Sequence, residues 1–101
     1  YIVTKGSGAA APKPVGSSPN DKTRWGVMDM MGNVYEWTST KANYYPGSSA
    51  KVKDEQRGWS IIRGASFATD QTGLPISATR RDWFSGSTKV SVLGFRLVRP
   101  K

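Results

Sequence analysis

The stretch at residues 25–38, WGVMDMMGNVYEWT, constrains this chain more than any other. It sets a Gly32-Asn33 pair between two apolar arms and adds two carboxylates, Asp29 and Glu36. Gly32 permits the positive φ that a tight turn or wrap requires. Asp29, Gly32, Val34 and Glu36 follow one another at separations of three, two and two residues, a spacing that can wrap a hard cation in oxygen. Calcium takes about 6–8 oxygens from carboxylates, backbone carbonyls and water. The side chains of Asp29 and Glu36 would flank the carbonyls of Gly32 and Val34. The same residues also read as a hairpin with Gly32-Asn33 as its turn, Trp25, Val27, Tyr35 and Trp37 in the core, and both acids in water. Spacing alone favours the hairpin, since carboxylates on turns are common.

A chain of 101 residues is one domain at most and buries a modest core. Only 37% of its residues are hydrophobic, so the core leans on aromatics. Four Trp, four Tyr and three Phe can supply it, each large ring burying roughly 150–250 Å². There is no cysteine and no histidine. That removes disulfides, thiolate metal sites, thiol nucleophiles, the Ser-His-Asp arrangement and histidine-ligated iron, copper or zinc from these residues. The net charge of +8 attracts polyanions, yet only Lys51-Val52-Lys53 and Arg80-Arg81 form small basic clusters. Nucleic-acid binding is therefore the weaker explanation, and a solvated surface the stronger one. No run approaches the ~20 apolar residues of a membrane span. Residues 1–16 lack the basic-then-apolar order of a signal peptide, which says little for a chain that does not begin with Met.

In order, residues 1–24 read as an extended loop or arm, since Pro12 and Pro14 bar a helix and remove ladder donors. Residues 34–38 alternate as a strand leaving the Gly-Asn turn. Residues 39–58 read as one long surface loop with a turn at Tyr44-Tyr45-Pro46-Gly47. Residues 59–67, WSIIRGASF, form a buried strand that bends at its small residues. A polar loop at 68–73, a short strand at 74–79, a charged and aromatic loop at 80–84 and a last strand at 90–98 complete the pattern. No helix of ordinary length, internal repeat or phosphate-binding glycine loop is visible.

Four pieces, PVGSSPN at 14–20, WGVMDMMGNVYEWTS at 25–39, IIRGASF at 61–67 and LGFRLVR at 93–99, together resemble the sulfatase-modifying-factor family, the domain of the formylglycine-generating enzyme. The resemblance implies an α+β class, mostly irregular with short antiparallel strands, in a C-type-lectin-like fold. It also implies a structural calcium at Asp29, Gly32, Val34 and Glu36, and this turns the balance toward the cage. A second upstream calcium site of the family is not expected, because GSGAAAPK has no carboxylate or Asn. The two copper-holding cysteines of the active enzymes correspond to Thr69 and Leu74. A hydroxyl and an isobutyl group cannot replace thiolates, so no copper site and no formylglycine generation are expected. The family domain is more than twice this long, so residues 1–101 resemble its carboxyl-terminal half, and the amino-terminal half is the expected partner, covalent or as a separate chain.

Arg63, Arg80, Arg81 and Arg96 are candidates for an anion pocket, since guanidinium binds carboxylate and phosphate through paired hydrogen bonds. Arg63 and Arg96 fit better as scaffold, paired with Glu36 or a backbone carbonyl. Arg80, Arg81, Asp82 and Trp83 are the better ligand-binding candidates, with Thr69 and Asp70 beside them. Tyr44, Tyr45 and Trp59 could stack on a sugar or a peptide aromatic, or close a small core. The leading expectation is a non-catalytic, calcium-stabilised recognition or structural module of an exported bacterial protein, with a protein, peptide or glycan ligand. The alternative is the substrate-binding part of a family oxidoreductase, such as an iron-dependent sulfoxide synthase, whose catalytic residues lie in another segment. Fold alone does not choose between them, because function belongs to the site.

Overall fold

The computed structural model describes residues 4, 5, 8, 10–70 and 77–99. Its organising turn is the Gly32-Asn33 pair, where φ is positive at both residues, 80° and 64°. From there β1 (Tyr35–Lys41) runs out, followed by a 3-10 turn (Asp54–Gln56), β2 (Ser60–Arg63), β3 (Asp82–Phe84) and β4 (Leu93–Gly94). The four strands make one sheet in the order β3-β2-β1-β4. Short strands, one 3-10 turn and much irregular chain among the described residues are compatible with the α+β class.

β1 and β2 pair antiparallel, Glu36 opposite Arg63 and Trp37 opposite Ile62, with an irregularity before Lys41 meets Ser60. β2 and β3 are also antiparallel, Ile61 opposite Trp83 and Ile62 opposite Asp82. The β1–β4 pair is parallel, Tyr35 opposite Leu93, so the sheet is mixed and the expectation of antiparallel strands alone is corrected. More than fifty residues separate these two strands in sequence, ample for the crossover that parallel pairing needs.

The apolar centre is small: Ile61, Ile62 and Ala65 are its buried hydrophobic residues. Around it the buried side chains are polar, Thr4, Ser18, Asp21, Asp29, Asn33 and Ser66. Hydrogen bonds make that burial tolerable. Asn33 holds Lys13 at both ends of its peptide, accepting the Lys13 N–H on Oδ1 at 2.8 Å and donating Nδ2 to its carbonyl at 3.0 Å. Asp29 Oδ2 accepts the Gly16 N–H at 2.7 Å. The proline-rich segment is thereby docked on the Gly-Asn turn at Lys13 and Gly16. The turn is fastened on its other side by the segment that follows β2, for Gly32 N–H donates to the Gly64 carbonyl and Phe67 N–H to that of Asn33.

Several expected boundaries move. β1 reaches Lys41, and residues 39–58 are not one featureless loop, because the 3-10 turn lies within them. Residues 82–84 are a strand rather than a loop. The last strand shrinks to Leu93–Gly94. Beyond it Phe95, Leu97 and Val98 are 72%, 89% and 83% exposed, so their alternation meets no packing partner among the described residues. The strand expected at 74–79 lies largely outside the described residues, and Ser77–Thr79 within it is coil and turn. The hairpin alternative fails at its apolar arm: Trp25 is 76% exposed and Val27 is exposed too.

Candidate functional site

A cavity of about 700 Å³ opens at the edge of the sheet where β3 ends the order. Tyr44, Tyr45, Arg80, Arg81, Asp82 and Trp83 line it, with Ile62 and Tyr35 among the residues of its floor. Asn43, Tyr44 and Tyr45 line one side and residues 79–84 the other. Tyr44 meets Trp83 edge to face, ring centroids 5.1 Å apart and planes at 83°, an arrangement the ring quadrupoles favour. The Arg81 guanidinium lies 3.8 Å from the centre of the Tyr45 ring, a cation–π contact. Tyr45 Oη donates to the Thr79 carbonyl at 2.8 Å, and Trp83 Nε1 donates to Gln56 Oε1 at 3.1 Å. Arg80 Nε approaches Asp82 Oδ2 at 3.4 Å, and both side chains keep substantial exposure, so the pair is weak and its members can turn to a ligand.

Sequence candidates are thus sorted. Arg80, Arg81, Asp82 and Trp83 come together with Tyr44 and Tyr45, two of the three expected stacking rings. Trp59 does not line the cavity. Thr69 adjoins it through a small neighbouring cleft that shares Arg80 and Asp82, and its hydroxyl accepts the Ser66 N–H at 2.9 Å. Asp70 lies apart, paired with Lys5 at 3.4 Å on the surface. Leu74 lies outside the described residues. Gln56 and Thr79 were missed. Thr79 contributes only its carbonyl, which no residue type announces, and Gln56 is a polar residue in a polar segment.

The second cluster surrounds Glu36. Arg96 donates Nε to Glu36 Oε1 and Nη2 to Oε2 at 3.1 Å. It also reaches the carbonyls of Met28 at 2.9 Å and Asp29 at 3.0 Å. The Glu36 hydrogen bond raises the Arg96 pKa further, with the charges of Glu36, Asp29 and Asp21 adding to it against the cost of burial. Arg63 instead donates to the Ala78 carbonyl. Both guanidinium groups are thus engaged within the fold, Arg96 with Glu36 and Arg63 with a backbone carbonyl. Asp21, behind the cluster, has its carboxyl pushed above the usual range by burial and by Asp29, against a hydrogen bond from the Met31 backbone.

Asp29, Gly32, Val34 and Glu36 line one cavity of about 460 Å³ with Arg96 on its wall. Among the described residues, Asp29 Oδ1 receives no donor and the Gly32 and Val34 carbonyls receive no loop backbone hydrogen bond. Asp29 and the two carbonyls are oxygens of the kind calcium takes, while both Glu36 oxygens are held by Arg96 in this structure. Three or more His, Cys, Asp or Glu side chains do not converge anywhere among the described residues, so the fit depends on the carbonyls. Histidine- or thiolate-ligated iron or copper cannot be built from these residues, which include neither His nor Cys. No helix among the described residues is long and apolar enough to cross a membrane.

Residues 3–101 match the sulfatase-modifying factor enzyme 1-like domain. Among curated proteins, the chain is 29% identical over 77 residues to the hercynine oxygenase of Mycolicibacterium smegmatis, covering 66% of this chain and 18% of that protein. It is 30% identical over 77 residues to that of Mycolicibacterium thermoresistibile, covering 66% and 17%. With the hercynine oxygenase of Mycobacterium tuberculosis it shares 28% over 92 residues, covering 85% and 21%. The chain thus spans about a fifth of the length of the curated relatives it matches. These relatives are oxygenases, which favours the oxidoreductase alternative over the non-catalytic module expected first. With the match running over residues 3–101, this chain belongs to the sulfatase-modifying factor enzyme 1-like domain family.

Proposed function

We propose that this chain is the substrate-binding part of an oxidoreductase related to the hercynine oxygenases, built on the C-type-lectin-like fold. The observation that carries the reading is the cavity at β3, where the rings of Tyr44, Tyr45 and Trp83, with Tyr35 and Phe84 also lining it, stand beside the Asp82 carboxylate and the Arg80 and Arg81 guanidinium groups. Ring faces and Asp82 attract a cationic ammonium group, and quaternary ammonium ions suit such surroundings especially well. Arg80 and Arg81 can receive a carboxylate through paired hydrogen bonds. The substrate class is therefore a small zwitterion carrying both groups.

The chain's own residues bind and orient; they do not carry redox chemistry. A redox metal, when bound, would supply the electron transfer, and its histidine or thiolate ligands belong to another segment of the protein because these residues include neither His nor Cys. Asp29, Gly32, Val34 and Glu36 hold a structural calcium, which ties the Gly-Asn turn to β1 and supplies no chemistry to the cavity. Phe95, Leu97 and Val98 pack against the rest of the domain.

The test is hercynine-dependent oxygen consumption by the intact protein supplied with iron and a cysteine-type thiol as sulfur donor. Uptake that falls at least tenfold in Arg81→Ala and Trp83→Ala supports the reading. No uptake with correctly folded, iron-loaded protein overturns it and returns the non-catalytic module. Uptake indifferent to both substitutions places substrate elsewhere.

A further inference from the structure

We infer that Gln56 is a positioning residue for the β3 cavity, its side-chain oxygen setting the orientation of the Trp83 ring. The inference rests on the cavity being the substrate site. Trp83 sits on β3, an edge strand of the sheet, so the pairing with β2 fixes its backbone while its ring is open on one side. Among the described residues, one ring contact and one hydrogen bond orient it. Its face or edge meets Tyr44 at 5.1 Å, and its Nε1–H donates to Gln56 Oε1 at 3.1 Å. The second is directional, since an indole Nε1–H can only donate.

Gln56 is well placed to impose a direction because its own backbone is held on both sides. Its N–H donates to the Lys53 carbonyl at 2.9 Å, and its carbonyl accepts the Trp59 N–H at 3.1 Å. Trp59 in turn accepts the Ala42 N–H at 2.7 Å, which returns the segment to the end of β1. The 3-10 turn is thus tied to the sheet at its base, and its last residue reaches across to the edge strand. On the opposite side Tyr45 Oη is tied to the Thr79 carbonyl. Residues 42–59 are fastened to the far wall at these two side-chain points, with the rings of Tyr44 and Tyr45 between them. Loss of the Gln56 tie frees the indole to rotate about its side-chain bonds, and the edge-to-face geometry with Tyr44 goes with it.

The experiment uses the intact protein and glycine betaine as probe, a small molecule with a trimethylammonium group and a carboxylate. Gln56→Leu keeps the length but removes the acceptor, and Gln56→Glu restores an acceptor oxygen. The Trp83 indole N–H resonance reports the tie directly; it is assigned by its loss in Trp83→Phe. Expected results are an upfield shift of that resonance in Gln56→Leu, with betaine bound about fivefold more weakly, the factor corresponding to one neutral hydrogen bond, and recovery of both in Gln56→Glu. In a Trp83→Phe background, which has no donor, Gln56→Leu adds nothing further. An unmoved indole resonance in Gln56→Leu overturns the tie. A moved resonance with unchanged betaine affinity overturns the positioning role. If the wild-type protein binds no betaine while its indole shift stands, the substrate class fails, and the positioning role fails with it.

Discussion

Arg96 grips both carboxylate oxygens of Glu36 from sixty residues away in the chain. The same guanidinium also donates to the Met28 and Asp29 carbonyls, so one side chain joins residue 96 to the segment before the Gly-Asn turn and to β1. Solvent reaches the pair, and its Coulomb energy alone is small. The stabilisation comes from satisfying a largely buried carboxylate and two carbonyls at once. Arg96→Ala lowers the unfolding free energy by about 2–3 kcal/mol, the range for hydrogen bonds to charged groups. Arg96→Lys recovers less than half, because an ammonium cannot fork across the carboxylate. Urea unfolding of the three proteins decides it, and equal stability of wild type and Arg96→Ala would sink the account.

Gly64, the residue just past β2, packs against the backbone of the motif at Met30. A Cβ there would sit 2.8 Å from the Met30 carbonyl oxygen, at φ +101°. Both the contact and the backbone conformation oppose a side chain. Gly47 has a similar φ of +90° but open space around it. Gly64→Ala therefore destabilises by about 3 kcal/mol or more, and Gly47→Ala by about 1 kcal/mol, since only the second cost is conformational alone. Thermal unfolding of the two variants separates contact from conformation.

What could be read from the sequence was what local chemistry decides. Gly32-Asn33 announced its turn through φ preference, Ile61-Ile62 announced a buried strand through an apolar run, and Arg96 announced scaffold through its place in LGFRLVR. What could not be read depends on partners distant in sequence. β3 carries Asp82 and Trp83 with no alternation, and is a strand because Ile61 and Ile62 offer it an edge. The parallel register of Tyr35 with Leu93 has no local signature at all. Ligand candidates were found in the charged and aromatic cluster at 80–83, but Gln56 was not, since its role arises only when the segment 42–59 folds back on Trp83.

The central isoleucines offer a test of how small the core is. Ile61 and Ile62 are 2% and 1% exposed, and little other apolar side chain is buried with them. Ile62→Ala costs about 3–4 kcal/mol and Ile62→Val about 1 kcal/mol. Val15, 89% exposed, provides the control: Val15→Ala stays within about 0.5 kcal/mol of wild type. Denaturant titration gives all three values. A loss at Ile62→Ala below that of Val15→Ala would mean that β2 does not hold the core.

Asp21 predicts a pH dependence of definite sign. Its folded pKa lies above the unfolded value near 3.8, chiefly through burial. Between these two values the folded state binds the extra proton, so the group's contribution is most favourable below the unfolded pKa and is lost as pH rises through the folded one. Asp21→Asn removes that loss while leaving an oxygen for the Met31 N–H. The variant gains stability over wild type at pH 7, and the difference closes below pH 3.8. Unfolding across pH with a chelator present measures it, and an Asn variant less stable at pH 7 reverses the sign and refutes the cause.

Calcium makes the last prediction, and it tests the oxygen cluster rather than the cavity. A ligand that binds only the folded chain stabilises it by mass action, about 2.7 kcal/mol at a hundred times its dissociation constant. Calcium should therefore raise the melting temperature of the intact protein, and a chelator should lower it again. Asp29→Ala and Glu36→Ala should each abolish the response, because Asp29, Gly32, Val34 and Glu36 line one cavity and the carbonyls alone carry no net charge. Arg81→Ala should leave it intact, since Arg81 belongs to the other cavity. A melting temperature indifferent to calcium and chelator alike would leave the Arg96 guanidinium as the resident cation of these oxygens, and the turn would then be held by that side chain alone.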